Sequence, residues 1–299
     1  MAWGVEIETG RIRLCRATGR SGRIRLGAHR EVELPSAAIQ PSFKESNLKD
    51  PAGVLAALQG ACRQTGCRGW VGVALPDAVF SLRCLLTEAA PPARPDAQRF
   101  LAWQARELLP FPADEARVDF LPPLPAPDGR FRVVCLFARE QVIREYENLL
   151  EAAGLRAAVV DARSVCLTQA GIAGPSEGIV GFLSLREDRS TFLLLEEGRP
   201  RFWRNLPYGR TDWGGASRLR AFRELADSIT YCEEAEGIGK LGSLTVEGGG
   251  RGAHDLPLAL GDWLGLSVRP LQMGAQALAN DPEELGSWGA AIGAAIRPW

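Results

Sequence analysis

Histidine is scarce in this sequence: His29 and His254 are the only two among 299 residues. A zinc site or a histidine-based nucleophile would therefore require ligands scattered along the whole chain to converge. We predict neither a catalytic residue nor a metal site.

Paired cysteines and long apolar runs are missing as well. The seven cysteines are odd in number and scattered, with no C-x-x-C pair, which is typical of buried thiols in a reducing compartment rather than disulfides. No apolar run approaches the roughly 18 residues that a membrane-spanning helix needs. Glu6 and Glu8 stand where a secretory signal would place its hydrophobic region. We expect a cytoplasmic protein without direct membrane insertion, which reaches a membrane only through a partner.

Excess charge of either sign is also lacking. The chain has 35 basic and 36 acidic residues, a net charge of −1, so its average electrostatics give no reason to expect a nucleic-acid partner or an anionic membrane surface. With 46% hydrophobic residues the composition is that of an ordinary globular protein with one large domain or two modest ones.

What the sequence does contain is a pattern that occurs twice. Residues 3–7, 11–17 and 22–33 alternate apolar with polar residues and predict three short strands, and residues 179–206 predict three more. Each set is followed by a predicted helix and a buried strand, GWVGVAL in the first half and SLTVEGGG in the second. The shared order βββαβ indicates an internal duplication.

An α+β module, at about residues 79–153, interrupts the first half. Its pattern predicts a strand, a helix over 95–109 stopped by prolines, a strand pair and a second helix. After it, Asp161 is predicted as the N-cap of a helix over 162–170. The closing SWGAAIGAAIR predicts a last helix whose small residues allow close packing in a core.

Six segments in this order resemble one family: GVEIETGRIRL, QARELLPFPADEARVDFLP, EAAGLRAAVVDARSVCL, FWRNLPYG, TVEGGGRG and WGAAIGAAIR. They resemble the PilM proteins of type IV pilus assembly and, more distantly, the cytoplasmic part of GspL of type II secretion. The resemblance implies an α/β protein with the actin-like ATPase fold, built from two duplicated RNase H-type cores. Residues 1–170 would form the first core (1A) with an inserted 1C-type subdomain, and 171–299 the second core (2A). Subdomain 2B would be missing or much reduced, because residues 204–209 lead directly into the next helix.

The resemblance also implies a function. The chain would be a non-catalytic cytoplasmic scaffold of a type IV pilus, or of a related type II secretion complex, at the inner membrane. Its partner would be a PilN-like bitopic membrane protein, whose short cytoplasmic N-terminal segment would bind in a groove involving residues 95–121 and the first meander. Pilus motor components and further copies of the chain are additional candidate partners.

The nucleotide-binding positions of the family are poorly matched. An actin-like ATPase has an aspartate in the first strand of each meander, because Mg²⁺ needs hard oxygen ligands, and glycine in the turn that follows. The matching aspartate positions are Glu6 and Ser184, and Glu8 and Arg186 stand where glycine is expected. The remaining candidates for a vestigial nucleotide cleft are the phosphate-loop and adenosine-end residues Thr9, Gly10, Gly248, Gly249 and Gly250. We predict that neither ATP nor Mg²⁺ is a cofactor.

Two alternatives stay open. The chain could be an active ATPase or small-molecule kinase of the same fold, with Asp161 as the general base in place of its role as an N-cap. It could also be a self-assembling filament protein, in which exposed tryptophans would mark the interfaces.

Overall fold

The protein has two compact units, described here from a computed structural model. The structure describes residues 2–20, 23–94, 96–126, 128–171, 178–234, 238–248, 255–271 and 287–297. Among these, unit 1 comprises 2–170 and 288–297, and unit 2 comprises 171–271 and 287.

Both units mix strands and helices. The strands are β1 Ala2–Glu8, β2 Arg11–Arg20, β3 Arg23–Glu33, β4 Gly69–Leu75, β5 Phe80–Thr87, β6 Ala116–Phe120, β7 Leu124–Pro125, β8 Phe131–Arg139, β9 Leu155–Ala162, β10 Ile179–Leu185, β11 Ser190–Glu196, β12 Arg199–Leu206, β13 Ser243–Glu247 and β14 Ser267–Pro270. The helices are α1 Pro51–Thr65, α2 Asp96–Gln104, α3 Glu140–Ala152, α4 Arg163–Gly171, α5 Arg218–Glu234, α6 Leu256–Leu264 and α7 Gly289–Ile296.

The main sheets of the two units have the same topology. Unit 1 has the strand order β3-β2-β1-β4-β9, and unit 2 has the order β12-β11-β10-β13-β14. In each, the three meander strands pair antiparallel and the later strands join them in parallel. The predicted duplication and the order βββαβ are therefore confirmed.

Helix α1 begins and ends at the residues that its sequence indicates. The Asp50 side chain accepts a hydrogen bond from the backbone N–H of Gly53 at 2.9 Å, and Pro51 occupies the first turn, where no donor is required. The helix ends at Gly66, which has a φ of 74° that favours glycine. Its buried face packs on the sheet of unit 1.

Helix α7 packs unusually close to the sheet of unit 1. A Cβ atom on Gly4 of β1 would lie 1.9 Å from the carbonyl oxygen of Ala291, and one on Gly72 of β4 would lie 2.0 Å from that of Ala294. A Cβ atom on Gly293, which lies on α7 itself, would be 1.8 Å from the carbonyl oxygen of Cys166 in α4. The small-residue face predicted for this helix is thus buried in a core. The expected second core, 171–299, included this helix, but its contacts place it in unit 1.

The inserted module forms a separate small sheet in unit 1, with the order β5-β8-β6 and with β7 paired to β8. Helix α2 covers one face of this sheet around Leu101, Phe137 and Val118. The predicted helix 95–109 is interrupted: α2 ends at Gln104 and a short 3-10 turn covers 106–108. Helix α3, which is expected at the end of the insert, packs on β9 and α1. It leads into β9, the last strand of the main sheet of unit 1, just as α6 leads into β14 in unit 2.

The core of unit 2 lies between its main sheet and helices α5 and α6. Trp213 is fully buried there, and its indole N–H donates to the Ser190 hydroxyl at 2.7 Å. A buried indole needs such an acceptor, since an unpaired N–H would lose its bond to water.

All seven cysteines are free thiols, and six of them are buried. Within the described ranges, no helix has both the length and the apolar character required to cross a bilayer.

Candidate functional site

Glu6, the first predicted nucleotide-binding residue, is fully buried in the middle of β1. Its Oε1 accepts a hydrogen bond from Nε of Arg163 at 2.8 Å, and its Oε2 lies 3.4 Å from a terminal nitrogen of Arg13. The carboxylate is therefore neutralised by two guanidinium groups rather than open to a cation.

Arg163 begins α4 and is 1% exposed, and it also contacts Glu8 at 3.0 Å. Burial by itself lowers the pKa of Arg13, but the charges of Glu6 and Glu31 outweigh that effect and the pKa is raised. Glu6, Glu8, Arg13 and Arg163 thus form a buried cluster with balanced charge. Breaking one pair would leave an uncompensated buried charge, so the cluster resists rearrangement.

Thr9 and Gly10 form the two-residue turn between β1 and β2, since Glu8 pairs with Arg11 across it. Gly10 has a φ of 83°, and its carbonyl accepts a hydrogen bond from the backbone N–H of Leu34 at 2.8 Å. This backbone requirement by itself explains a glycine at position 10.

In unit 2, Ser184 takes the place in β10 that Glu6 has in β1. Its hydroxyl donates to Oε2 of Glu247 at 2.9 Å, and a terminal nitrogen of Arg186 lies 2.6 Å from both oxygens of that carboxylate. Ser184 and Glu247 face each other in the parallel pairing of β10 with β13. Glu247 was not among the predicted site residues, although its place at the end of a strand before glycines is a signal for a residue at the carboxyl edge of a sheet.

Gly248 follows Glu247 with a φ of 88°, and a Cβ there would lie 2.4 Å from the carbonyl oxygen of Leu185. Close backbone packing therefore requires this glycine without reference to a ligand. Gly249 and Gly250, the other two residues of the predicted run, lie outside the described residues.

Asp161 is not the N-cap that the sequence predicts. It lies within β9, and its Oδ1 accepts the backbone N–H of Ala162 at 2.8 Å while its other oxygen pairs with Arg297. The carboxylate at the start of α4 is Asp77, whose Oδ1 accepts the Ser164 N–H at 2.8 Å and whose Oδ2 accepts the Ser164 hydroxyl. This cap arises from a residue 87 positions away, which local sequence patterns do not reveal.

Asp255 stands where the sequence favours an N-cap for α6. It precedes α6, but its side chain makes no capping hydrogen bond and instead accepts from Arg218 at 3.2 Å.

The carboxylates of these polar clusters are poorly placed to coordinate a cation. In both units the buried carboxylates at the candidate positions are already bound to arginine, serine or both. Among the described residues, no group of three or more histidine, cysteine, aspartate or glutamate side chains could hold a metal ion.

A groove of about 530 Å³ lies on unit 1 beside the insert. Its lining residues are Asp114, Glu115, Arg139, Glu140, Gln141, Arg144, Glu145 and Asn148. The loop between β3 and α1 is attached next to it: Arg139 donates to the Lys44 carbonyl at 2.6 Å, and Glu145 accepts the Asn47 N–H at 2.9 Å.

The groove has an acidic character with one unengaged carboxylate. Glu115 pairs with Arg139 at 2.7 Å, and Glu140 accepts from Arg117 and Arg144. The hydrogen bond from Arg117 lowers the pKa of Glu140 to about 2. Asp114 is exposed and makes no ion pair with any residue of the described ranges. The arrangement suits an extended, polar segment with a basic residue.

Comparisons with known proteins identify the family and the fold of the chain. A family model described as "Type IV pilus assembly protein PilM" matches residues 4–177. A solved PilM-PilN type IV pilus biogenesis complex has a chain that superimposes with a TM-score of 0.79 at 18% identity, covering 99% of both chains. The cytoplasmic domain of EpsL from the type II secretion system of Vibrio cholerae superimposes with a TM-score of 0.48 at 13% identity, covering 82% of this chain and 80% of that one. The ethanolamine utilization protein EutJ from Carboxydothermus hydrogenoformans superimposes with a TM-score of 0.49 at 13% sequence identity, covering 97% of this chain and 89% of that one. No curated protein matches the chain. The superposition on the PilM chain shows that the fold is the actin-like ATPase fold.

Proposed function

The chain belongs to the PilM family of type IV pilus assembly proteins, and on this basis we propose that it is a non-catalytic scaffold that binds the cytoplasmic N-terminal segment of a PilN-like bitopic membrane protein. Through that partner it would be held at the inner membrane. The proposal has two parts, the loss of nucleotide chemistry and the binding of a peptide segment.

The observation that carries the first part is the pairing of Glu6 with Arg163 and Arg13. A magnesium ion bound near Glu6 would have to displace a guanidinium that is itself buried, which leaves a positive charge without a partner. In unit 2 the candidate position is Ser184, a hydroxyl already bonded to Glu247. Neither position supplies the free carboxylate that organises Mg²⁺ and phosphates in phosphoryl-transfer sites.

Calorimetric titration with Mg-ATP tests this part. We expect no saturable, magnesium-dependent binding and no hydrolysis. The informative variant is Glu6→Gln, and the matched control is Glu107→Gln, which changes the same charge at a side chain that is 81% exposed. Saturable binding that Glu6→Gln abolishes and Glu107→Gln preserves would refute the proposal and favour the ATPase or kinase alternative.

The groove beside the insert supports the second part. It lies where the insert, the loop after the first meander and α3 meet, and several of its side chains are held in place by ion pairs. Held side chains lose little entropy when a peptide binds. Gln141, Arg144 and Asn148 point outward from α3, so the rim can contact a segment without unfolding the core.

A synthetic peptide with the cytoplasmic N-terminal sequence of a PilN-like bitopic protein provides the direct test. We expect Gln141→Trp, which fills the groove, to weaken peptide binding by about ten-fold or more, or ~1.4 kcal/mol. The control Gln64→Trp makes the same change on the exposed side of α1 and should leave the affinity unchanged. Failure of the peptide to bind the unmodified protein would contradict the proposal. Binding that both variants retain would place the segment elsewhere on the protein.

Self-association is a second candidate function, because large apolar side chains are exposed on unit 2. Leu219 on α5 is 56% exposed, and Leu258 and Trp263 on α6 are 71% and 45% exposed. Sedimentation velocity at increasing protein concentration tests it: a rising mean mass that Leu258→Asp removes would favour assembly of copies of the chain.

A further inference from the structure

Three chain connections meet at one end of the main sheet of unit 1. They are the β2–β3 hairpin, the link from α1 to β4 and the link from α3 to β9. The pairing register places them together, because Ala2 pairs with Ala17, Trp3 with Val71 and Trp70 with Arg156. We call this the arginine end; the Glu6 cluster lies toward the opposite end of the same strands.

The segments of the arginine end are strongly positive, whereas the whole chain is nearly neutral. Residues 16–25, 63–70 and 151–156 contain seven arginines, no lysine and a single acidic residue, Glu151, in a chain of net charge −1. The opposite end, where β1, β4 and β9 finish, carries Glu8, Asp77 and Asp161. Glu8 and Asp161 pair there with Arg163 and Arg297, so the unbalanced charge lies at the arginine end.

Five of the seven arginine side chains are exposed and make no ion pair with a described residue: Arg16, Arg25, Arg63, Arg68 and Arg156. The other arginines of β2 differ, since Arg11 and Arg13 both pair with Glu31. Exposed cations without a nearby carboxylate keep their full attraction for an external anion.

Two tryptophans lie among these cations. The guanidinium of Arg16 lies 5.9 Å from the ring centre of Trp3, and that of Arg156 lies 5.8 Å from the ring centre of Trp70. Trp70 is 55% exposed. Trp3 is partly buried. An exposed indole beside an arginine, as at Trp70, suits the headgroup region of a bilayer, where the ring is half in hydrocarbon and the cation contacts phosphate.

We infer that the arginine end binds the anionic phospholipid headgroups of a membrane surface. A net charge of −1 gives no long-range attraction to a nucleic acid in solution, whereas a protein held near a bilayer meets headgroups at short range. The contact would fix the orientation of unit 1 on the bilayer. It adds a direct contact to the partner-mediated one that the sequence leads us to expect, and it is testable without the peptide partner.

The test is co-sedimentation of the full chain with vesicles of phosphatidylcholine, with and without phosphatidylglycerol. We expect binding only to the anionic vesicles, weakening as salt is raised. The triple variant Arg63→Gln, Arg68→Gln and Arg156→Gln should bind about 100-fold more weakly, about five-fold for each arginine. Replacing the same three residues by lysine keeps the charge and should restore most of the binding.

The control variant Arg83→Gln, Arg220→Gln and Arg223→Gln makes the same change in net charge at exposed positions that do not belong to the arginine end. Equal weakening in this control would overturn the inference, since average charge would then explain the binding. It would also be overturned if neutral vesicles bind equally well, or if an oligonucleotide binds more tightly than anionic vesicles at equal phosphate concentration. Circular dichroism of each variant confirms that the fold is intact.

Discussion

Replacing Gly72 by alanine tests how closely α7 packs on the sheet of unit 1. The new Cβ would lie 2.0 Å from the carbonyl oxygen of Ala294, whereas ordinary van der Waals contact begins at 3.4 Å. The helix would therefore have to retreat by about 1.4 Å, the difference between these distances. No side-chain rotation relieves the clash, since the opposing atom belongs to the backbone.

The cost follows from that displacement. A gap of this size removes a large part of the dispersion contacts along the helix. Overpacked cores lose about 1–3 kcal/mol, and we expect the upper end, about 3 kcal/mol, because the backbone must move. At about 2–4 °C per kcal/mol for a unit of this size, the midpoint of thermal unfolding should fall by about 6–12 °C.

Gly60→Ala is the matched control, since it makes the same chemical change inside α1, where a Cβ would meet nothing within 4 Å. Alanine is the better helix former, so this variant should gain about 0.5–1 kcal/mol. Differential scanning calorimetry of both variants provides the measurement. A Gly72→Ala protein at least as stable as the unmodified chain would refute the close packing of α7 on β4.

Two further substitutions test other contacts in unit 1. The pKa of Glu140 is lowered, so its ion pair with Arg117 stabilises the fold above the ordinary carboxyl pKa and is lost as the pH falls toward about 2. Because the pair is about one-third exposed and solvent screens it in part, Glu140→Gln should remove about 1 kcal/mol at neutral pH and nothing in strong acid. Urea unfolding at both pH values provides the measurement, and an equal loss at both would contradict the pairing. Asp77→Ala should lower the free energy of unfolding by about 2 kcal/mol and speed amide exchange at Ser164, because it removes the buried cap of α4. Removing the exposed cap Asp50 should cost only about 1 kcal/mol. Unchanged exchange at Ser164 would exclude the long-range cap.

The polar positions show why sequence reasoning was incomplete at the candidate site. Glu6 and Ser184 could be aligned with the aspartates of the family because each lies at the same place in its meander. The residues that engage them, Arg163 and Glu247, are 157 and 63 positions away in the chain. No local pattern connects such distant residues, so their effect on charge becomes visible only when the strands are assembled.

Asp161 shows the same limit in a local prediction. An aspartate before a helical pattern is the usual sign of an N-cap, and the prediction followed that rule. In the structure β9 extends through Ala162, so Asp161 stays in the sheet and Asp77 from another connection caps α4. Tertiary pairing of the strand overrode the local preference.

The sequence by itself determined the duplicated meanders, the insert, the ends of α1 and the small-residue face of α7, because alternation, caps and glycines act over a few neighbouring residues. Only the tertiary structure decided that α7 joins unit 1, that Glu6 is neutralised by two arginines, and that five exposed arginines from three separate segments lie at one end of a sheet. Those features depend on contacts between residues far apart in the chain, whose free energies exist only once the fold has brought them together.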